Sequence, residues 1–351
     1  AAVGLLSLLA LPAKNVKFGQ VDERVLPASA PVAVAIEESR NRFEGQAASP
    51  VELLIPTQSA SLSQLDELAK SFAGKAEVVS VLTPTLFATQ GQTQALPRIQ
   101  APQIADGYNR ISIVLQDPPR QESSVDFVKN LRDMELPEGS LVCGASAIYV
   151  DSQAGISNHL TAVLTWLAIA VFVVLFMYTG SILLPLKAVV LNLVSLGATL
   201  GLVTYVFQEG NMKWLVGDFT VTGNIDTSSL VLIAVVAFGL SMDYELFMLS
   251  RIKEEHDNGA DTRDAVSFGL QRSGRIISAA AILIALVFAT FVTSGVTSIK
   301  MLGLGTAFAI LLDATVVRAI LVPALMRIAG KWNWWAPAPL AKFHARYGIR
   351  D

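Results

Sequence analysis

The sequence predicts a bundle of membrane-spanning α-helices, five complete and one partial, that carries an extracytoplasmic α+β domain of ferredoxin-like type. Three observations predict this fold class. Hydrophobic residues make up 52% of the chain and charged residues only 16%, whereas soluble domains are about 25% charged. Five apolar runs reach the roughly 20 residues that a helix needs to cross a bilayer. A long segment with alternating strand and helix patterns separates the first, short apolar run from the others.

The opening run, residues 1–11, is apolar but too short to cross a bilayer. We interpret it as the end of a truncated transmembrane helix. A cleaved signal peptide is the alternative, but no basic segment precedes the apolar residues. The five complete spans make up the transmembrane domain, residues 159–326. They are predicted at residues 159–178, 183–207, 228–250, 276–299 and 301–326.

Basic residues orient the spans, because cytoplasmic connections of membrane proteins are enriched in Lys and Arg. They cluster in the connection 251–275 and in the tail 327–351, which we therefore assign to the cytoplasm. The segment 12–158 is then extracytoplasmic. The basic residues used here are Arg251, Lys253, Arg263, Arg272 and Arg275 in the connection, and Arg327, Lys331, Lys342, Arg346 and Arg350 in the tail.

Two further features are predicted at the cytoplasmic side. Residues 262–273 have an amphipathic pattern, with Val266, Gly269 and Leu270 on one face, which indicates a short helix lying along the membrane surface. Trp332, Trp334 and Trp335 are expected at the level of the lipid headgroups as an aromatic belt.

The segment 12–158 alternates patterns typical of helices and strands. Residues 31–43, 62–72 and 123–134 are predicted helices, with Ser61 as an N-cap. Residues 51–56, 77–82, 110–116 and 140–143 are predicted strands. Two β-α-β units of similar size indicate a ferredoxin-like split βαβ sandwich. The stretch 83–107 is expected to be a loop or an accessory insertion, and 145–158 to continue helically into the first span.

The third span contains an acidic residue, Asp243, in the run Gly239-Leu240-Ser241-Met242-Asp243-Tyr244-Glu245. An ionised carboxylate at such depth costs about 2.5–3.5 kcal/mol, so membrane proteins keep one mainly where protons, ions or substrates move. We expect Asp243 to be buried and Tyr244, which points about 100° away, to reach a facing helix separately. Ser241 allows close helix approach, and Glu245 is either a proton exit group or a surface residue.

The fifth span contains Asp313 and Arg318. Residues five apart do not share an α-helical face well, so each is expected to pair with another helix. Snorkelling of Arg318 to the cytoplasmic interface is the alternative. Asp313 is deeper in its span and harder to attribute to packing alone.

Composition excludes several other classes. The formal net charge of −3 and the absence of a basic stripe argue against nucleic-acid binding. Cys143 is the only cysteine, which rules out an intrachain disulfide and a cysteine-rich metal site. The three histidines are widely separated. We therefore expect no metal and no cofactor, with a mixed carboxylate site as the remaining metal option.

Four local signatures resemble one half of a resistance–nodulation–division transporter, and more narrowly the C-terminal half of an MmpL (mycobacterial membrane protein large) family lipid exporter. The resemblance covers essentially the whole chain, and the Met-Asp-Tyr motif is its most specific part. The signatures are Phe18-Gly19-Gln20-Val21-Asp22 with Leu26-Pro27-Ala28-Ser29 and Arg42-Phe43; the run 239–247 with Ser250-Arg251-Ile252-Lys253-Glu254-Glu255; Gly303-Leu304-Gly305-Thr306 with Leu311-Leu312-Asp313-Ala314-Thr315, Arg318 and Leu321-Val322-Pro323-Ala324; and Trp332-Asn333-Trp334-Trp335-Ala336-Pro337.

This resemblance implies a multi-pass protein of the bacterial inner membrane that exports lipid or another hydrophobic molecule, driven by the proton gradient and without enzymatic activity. It implies that Asp243 and Tyr244 relay protons and that Asp313 and Arg318 are needed for transport. The family has two such repeats, with a second Asp-Tyr pair. We therefore expect a missing N-terminal half, or a second copy, as a partner besides the lipid cargo and membrane lipids.

Three other functions compete with export. Two carboxylates within spans also occur in intramembrane aspartyl proteases, but here the Tyr-Asp order is reversed as Asp243-Tyr244, and Gly303-Leu304-Gly305 is followed by Thr306 instead of Asp. A SecDF-like, proton-driven helper of protein translocation has the same half-fold. A sterol-sensing or scaffold membrane protein would not transport. No charged cluster in the extracytoplasmic domain identifies a cargo headgroup.

Overall fold

The computed structural model describes residues 1–20, 22–42, 45–97, 104–105 and 107–349. Val21, Phe43 and Arg350, which the sequence analysis uses, lie outside the described residues, as do residues 98–103 and 106 of the predicted linker. Contacts divide the chain into a helical unit, Ala1–Ala28 with Thr161–Asp351, and an α+β unit, Ser29–Leu160.

The chain begins with helix α1 (Ala2–Ala10), a 3₁₀ turn (Leu11–Asn15) and a two-residue strand, β1 (Phe18–Gly19). Leu6 of α1 is completely buried. Residues 12–28, which the sequence analysis places in the extracytoplasmic domain, pack with the helical unit. The backbone N–H of Lys17 donates to Gln208 Oε1, and Thr227 Oγ1 donates to the carbonyl of Gly19.

The α+β unit has four predicted strands and three predicted helices where the sequence places them. Its elements are α2 (Pro31–Arg42), β2 (Val51–Pro56), α3 (Leu62–Ala73), β3 (Val78–Leu82), β4 (Leu86–Thr89), β5 (Gln92–Ala95), β6 (Ile104–Ala105), β7 (Tyr108–Leu115), α4 (Glu122–Asp133) and β8 (Leu141–Gly144). The strand order is β5-β4-β3-β7-β2-β8, with β6 beside β7, and all neighbours are antiparallel. The predicted linker contributes the hairpin β4–β5.

The core of the α+β unit follows from two periodicities. In β2, alternate residues Val51, Leu53 and Ile55 have no exposed surface, as expected for a strand with one covered face. Helix α3 buries Leu65, Ala69, Phe72 and Ala73. The predicted N-cap Ser61 is confirmed, because its side chain accepts from the backbone N–H of Gln64 in a capping box.

Five helical segments among the described residues are long and apolar enough to cross a membrane, at residues 145–179, 183–208, 227–257, 262–293 and 297–334. The elements are α5 (Ala145–Thr179), α6 (Leu183–Val203) with a π-helical turn (Thr204–Gln208), α7 (Lys213–Val216), β9 (Ile225–Asp226), α8 (Thr227–Asp257), α9 (Thr262–Thr290), α10 (Thr297–Leu312), a π-helical segment (Asp313–Leu321), α11 (Val322–Ala329) and α12 (Ala338–Tyr347). Strand β9 pairs with β1 in parallel.

The predicted surface helix 262–273 is wrong as a separate element. It forms the first part of α9, which begins after the N-cap Asp261 and continues to Thr290. Its small residues bury against α8 instead of lying on a membrane surface. A Cβ at Gly269 would stand 2.5 Å from Ile252 Cγ1, so the two helices are in close contact at this glycine.

The fourth and fifth spans also meet at a different point from the predicted one. The helical residues of the fourth end at Thr293, and α10 begins at Thr297. Ile299 therefore belongs to the fifth span. Lys300, which the prediction left between the spans, is buried and donates to the carbonyls of Val216 and Asp218 at 2.7 and 3.0 Å. The sequence prediction misses this boundary because residues 294–299, Ser-Gly-Val-Thr-Ser-Ile, contain no charged residue that would mark it.

The three tryptophans of the tail do not behave alike. Trp332 and Trp335 are exposed, as an aromatic belt requires. Trp334 instead stacks on the ring of His256, with ring centroids 4.3 Å apart. The belt prediction is therefore wrong for Trp334, which packs against the end of α8.

Glycine spacing allows a direct test of this packing. Gly201 of α6 lies against α1, where a Cβ would overlap the Leu9 carbonyl oxygen, whereas a Cβ at Gly197 meets nothing within 4 Å. We expect Gly201→Ala to lower stability by about 1–3 kcal/mol, and the thermal midpoint in detergent by roughly 1–4 °C. Gly197→Ala, one turn away, is the matched control and should melt like the wild type. Equal midpoints for both variants would contradict the close α1–α6 contact.

Candidate functional site

The Met-Asp-Tyr motif lies on α8, and its side chains and their neighbours lie on different faces of that helix. Ser241 and Glu245, four residues apart, are both buried, with 4% and 5% of their surface exposed. Tyr244 is half-buried, and Asp243 is exposed. With 3.6 residues per turn, Asp243 lies about 200° around the helix from both Ser241 and Glu245. The interior of the helical unit therefore receives Ser241 and Glu245 but not Asp243.

Two expectations about this motif need correction. A buried Asp243 is expected from the sequence, but within this chain its side chain lies on the outside of the helical unit. Glu245, for which a surface position was the alternative, is buried. Counting depth along the span gives no information about the direction around the helix axis, and this direction decides which of the two acids enters the interior.

Asp313 and Arg318 form a buried ion pair. The Arg318 Nε donates to Asp313 Oδ2 at 2.6 Å, and the two side chains are 3% and 9% exposed for Arg318 and Asp313. Two expectations are therefore wrong: that residues five apart would not share a helix face, and the alternative that Arg318 snorkels to the interface. The expectation that each side chain reaches another helix is confirmed, because both contact Ser241 of α8. The segment Asp313–Leu321 is π-helical, and its i→i+5 hydrogen bonding brings residues five apart onto one face.

Ser241 connects α8 to this ion pair. Its Oγ accepts from Arg318 Nη2 at 2.9 Å and lies 3.0 Å from Asp313 Oδ1 and 2.5 Å from Asn192 Oδ1. Arg318 Nη2 also donates to the Ser241 carbonyl. One guanidinium therefore bonds both the π-helical segment and α8, and a charge buried in this way is stable only with such partners.

The Ser241 hydroxyl has one proton but faces two oxygen acceptors. When Asp313 is ionised, the hydroxyl can donate to either Asp313 or Asn192. When Asp313 carries a proton on Oδ1, that proton can be donated to Ser241, whose own proton then goes to Asn192. The Ser241 hydroxyl accordingly has an acceptor for its proton in either protonation state of Asp313.

Asn192 is a site residue that the sequence reasoning missed. It belongs to α6 together with Ser195 and Thr199, and all three are buried. Their spacing of three and four residues places them on one helix face, so a polar stripe was readable in an otherwise apolar span. A small cavity beside the ion pair is lined by Asn192, Ser195, Ser241 and Asp313, among others.

Tyr244 approaches the same network through its ring. The Arg318 Cζ lies 5.5 Å from the centroid of the Tyr244 ring, within the range of a cation–π interaction. Tyr244 thus contacts the guanidinium that holds Asp313, while Asp243 next to it in sequence points elsewhere. This agrees with the expectation that Tyr244 points away from Asp243 and reaches a facing helix separately.

Comparison with known proteins identifies the family. The sequence profile of the MMPL family matches residues 24–346. The chain belongs to the MMPL family.

Curated MMPL relatives agree with this assignment. The chain is 32% identical over 353 residues to the trehalose monomycolate exporter MmpL3 of Mycobacterium tuberculosis, covering 99% of this chain and 36% of that protein. It is 31% identical over 354 residues to the mycolic acid-containing lipids exporter MmpL11 of Mycolicibacterium smegmatis, covering 97% and 35%. A putative membrane protein of Streptomyces coelicolor, SCO6666, is 42% identical over 229 residues, covering 65% and 32%.

The chain spans about a third of the length of these three relatives. With its five membrane-spanning segments, it is a multi-pass protein of the bacterial inner membrane and part of the resistance–nodulation–division superfamily. In the described part of the chain, no three His, Cys, Asp or Glu side chains are grouped as a metal site.

The buried pair in this MMPL chain predicts a stability difference between two acidic residues. Asp313→Asn leaves the Arg318 charge without a carboxylate and should cost about 3–5 kcal/mol. Glu254→Gln breaks an exposed ion pair with Arg251 and should cost less than about 1 kcal/mol. Thermal unfolding of both variants in one detergent compares them. Similar midpoints for Asp313→Asn and Glu254→Gln would contradict a buried, charge-compensating role for Asp313.

Proposed function

We propose that this chain is one half of a proton-motive-force-driven exporter that moves lipid, or another hydrophobic molecule, across the bacterial inner membrane. The observation that carries the proposal is the buried Asp313–Arg318–Ser241–Asn192 network. Ionisable groups inside a membrane bundle are costly and are kept for functions such as proton relays. The protein acts in this proposal as a transporter and not as an enzyme, and it uses the proton gradient instead of a cofactor.

Asp243 is the proposed proton carrier, and Tyr244 is its relay or orienting partner. The exposed position of Asp243 suits a carboxylate that is covered by helices from another half or another copy, since alternating-access transporters usually pair two repeats. Tyr244, the residue next to Asp243 in the sequence, contacts Arg318. In this proposal Tyr244 therefore connects Asp243 to the buried network. Asp313 and Arg318 then link proton occupancy to the position of the π-helical segment.

The α+β unit is proposed to be an extracytoplasmic porter domain with a ferredoxin-like core. Two β-α-β units, β2-α3-β3 and β7-α4-β8, support this, because their strands occupy the order β3-β7-β2-β8 with antiparallel neighbours. The basic residues of the cytoplasmic connection and tail support the orientation. The hairpin β4–β5 is an addition between the two units.

Lipid is proposed as the cargo because relatives over nearly the whole chain are named exporters of trehalose monomycolate or of mycolic acid-containing lipids. A complete exporter requires a partner repeat, from a preceding half or from a second copy. Within this proposal, the porter unit receives the lipid and the helical unit supplies the coupling to protons.

Two conservative substitutions test the proton role. Asp243→Asn keeps the size and much of the hydrogen bonding but removes titration, and it should lower proton-coupled export at least about tenfold while expression persists. Tyr244→Phe removes one hydroxyl and should reduce export strongly without unfolding the bundle. The assay is proton uptake and trehalose monomycolate export by the complete protein in vesicles. Asp264→Asn and Tyr347→Phe, both at exposed positions, are the matched controls. Wild-type coupled flux in Asp243→Asn would end the proposal.

A further inference from the structure

Three charged side chains in the helical unit each keep one buried polar atom without a hydrogen-bond partner. These atoms are Lys187 Nζ, Glu245 Oε1 and Arg318 Nη1. They are complementary, because two are donors and one is an acceptor. The charges that act on Glu245 are those of Arg318, Lys187 and Asp313. Buried charges left without hydrogen bonds are costly, so this group calls for an explanation beyond packing.

The group extends the Ser241 network toward one end of the bundle. Glu245 lies one turn after Ser241 on α8, about 6 Å along the helix. Lys187 lies close to the start of α6, which follows the turn after α5. Lys253, two turns beyond Glu245, donates to the carbonyl of Tyr178 just before that turn. The distribution of basic residues assigns this end to the cytoplasm.

An apolar layer closes the bundle beyond Glu245 and Lys187. Met248, Leu249 and Ile252 follow Glu245 on α8, and each is only 1% exposed. Leu184 precedes Lys187 on α6 and has no exposed surface. Glu245 and Lys187 are therefore the last ionisable side chains of the buried network before an apolar seal on α6 and α8.

We propose that Lys187 and Glu245 form the cytoplasmic proton-release pair of this transporter, with Glu245 as the acceptor and Lys187 as its positioning residue. This inference rests on the proposed proton-driven function. A proton that the relay delivers to the interior of the helical unit adds to the Glu245 carboxylate, while Asp313 remains a carboxylate paired with Arg318. When the apolar layer opens, Glu245 gives the proton to cytoplasmic water and becomes a carboxylate beside Lys187 again.

Substitutions separate the two roles. Glu245→Gln cannot carry a proton and should lower proton release at least about tenfold, whereas Glu245→Asp should recover more than half of it. Lys187→Met removes the neighbouring positive charge, so Glu245 holds its proton more tightly. The midpoint of the dependence on cytoplasmic-side pH should then move upward by about one unit. Because Lys187 acts through Glu245, the double variant Lys187→Met/Glu245→Gln should behave like Glu245→Gln alone.

The experiment uses the complete protein in phosphatidylethanolamine and phosphatidylglycerol vesicles with a trapped pH-sensitive dye and trehalose monomycolate as the cargo probe. Glu254→Gln and Lys331→Met, at exposed positions, are matched controls expected to resemble the wild type. Size-exclusion chromatography of Lys187→Met and Glu245→Asp checks that the readout comes from folded protein.

Two results would overturn the release pair while leaving the proposed function intact. One is an unchanged pH midpoint in Lys187→Met together with a wild-type rate in Glu245→Gln. The other is an additive loss in the double variant, which would mean that Lys187 acts elsewhere. A wild type that exports the probe without taking up protons would overturn the proposed proton-driven function itself, and the release pair with it.

Discussion

A single guanidinium, that of Arg318, places the strongest constraint on the helical unit. Only 3% of its side chain is exposed, and a buried cation of this kind is tolerated only with a counter-ion and further hydrogen bonds. Asp313 supplies the counter-ion, and Ser241 supplies acceptors from α8. The π-helical segment is what allows the counter-ion to come from the same stretch of chain, so the helix geometry and the charge balance depend on each other.

Small residues let the surrounding helices come close enough to close this interior. A Cβ at Gly303 would stand 2.6 Å from the Phe288 carbonyl oxygen, and one at Gly305 would stand 2.7 Å from Ile233 Cδ1. Membrane helices associate through such close packing because lipid provides little hydrophobic drive between them. The polar network can therefore lie in a sealed core, where a change of one proton alters a large part of the local charge balance.

The sequence was sufficient to predict the membrane spans and the strands. It was insufficient to predict which face of a helix a residue occupies and where a helix is π-helical. Hydrophobic length located all five spans, and the short strand predicted at residues 51–56 has the bounds of β2. The i→i+5 pair was missed because Asp313 and Arg318 were tested against α-helical spacing alone. The burial of Asp243 was wrong because depth in a span does not determine which face a residue occupies. Asn192 could have been predicted from the polar face that it forms with Ser195 and Thr199. It was missed because an uncharged polar residue in an apolar span is a weaker signal of function than an acidic one.

Relocating the carboxylate by one residue tests most directly whether π-helical spacing holds the network together. The double variant Asp313→Ala/Ala314→Asp keeps the composition but places the acid four residues before Arg318, the spacing of an ordinary α-helical pair. The measurement is its thermal midpoint in detergent beside that of the wild type. Dependence on the π-helical segment predicts a large loss, comparable to breaking a buried ion pair at about 3–5 kcal/mol. A midpoint equal to that of the wild type would show that α-helical spacing serves Arg318 equally well. That result would contradict the dependence of the network on the π-helical segment.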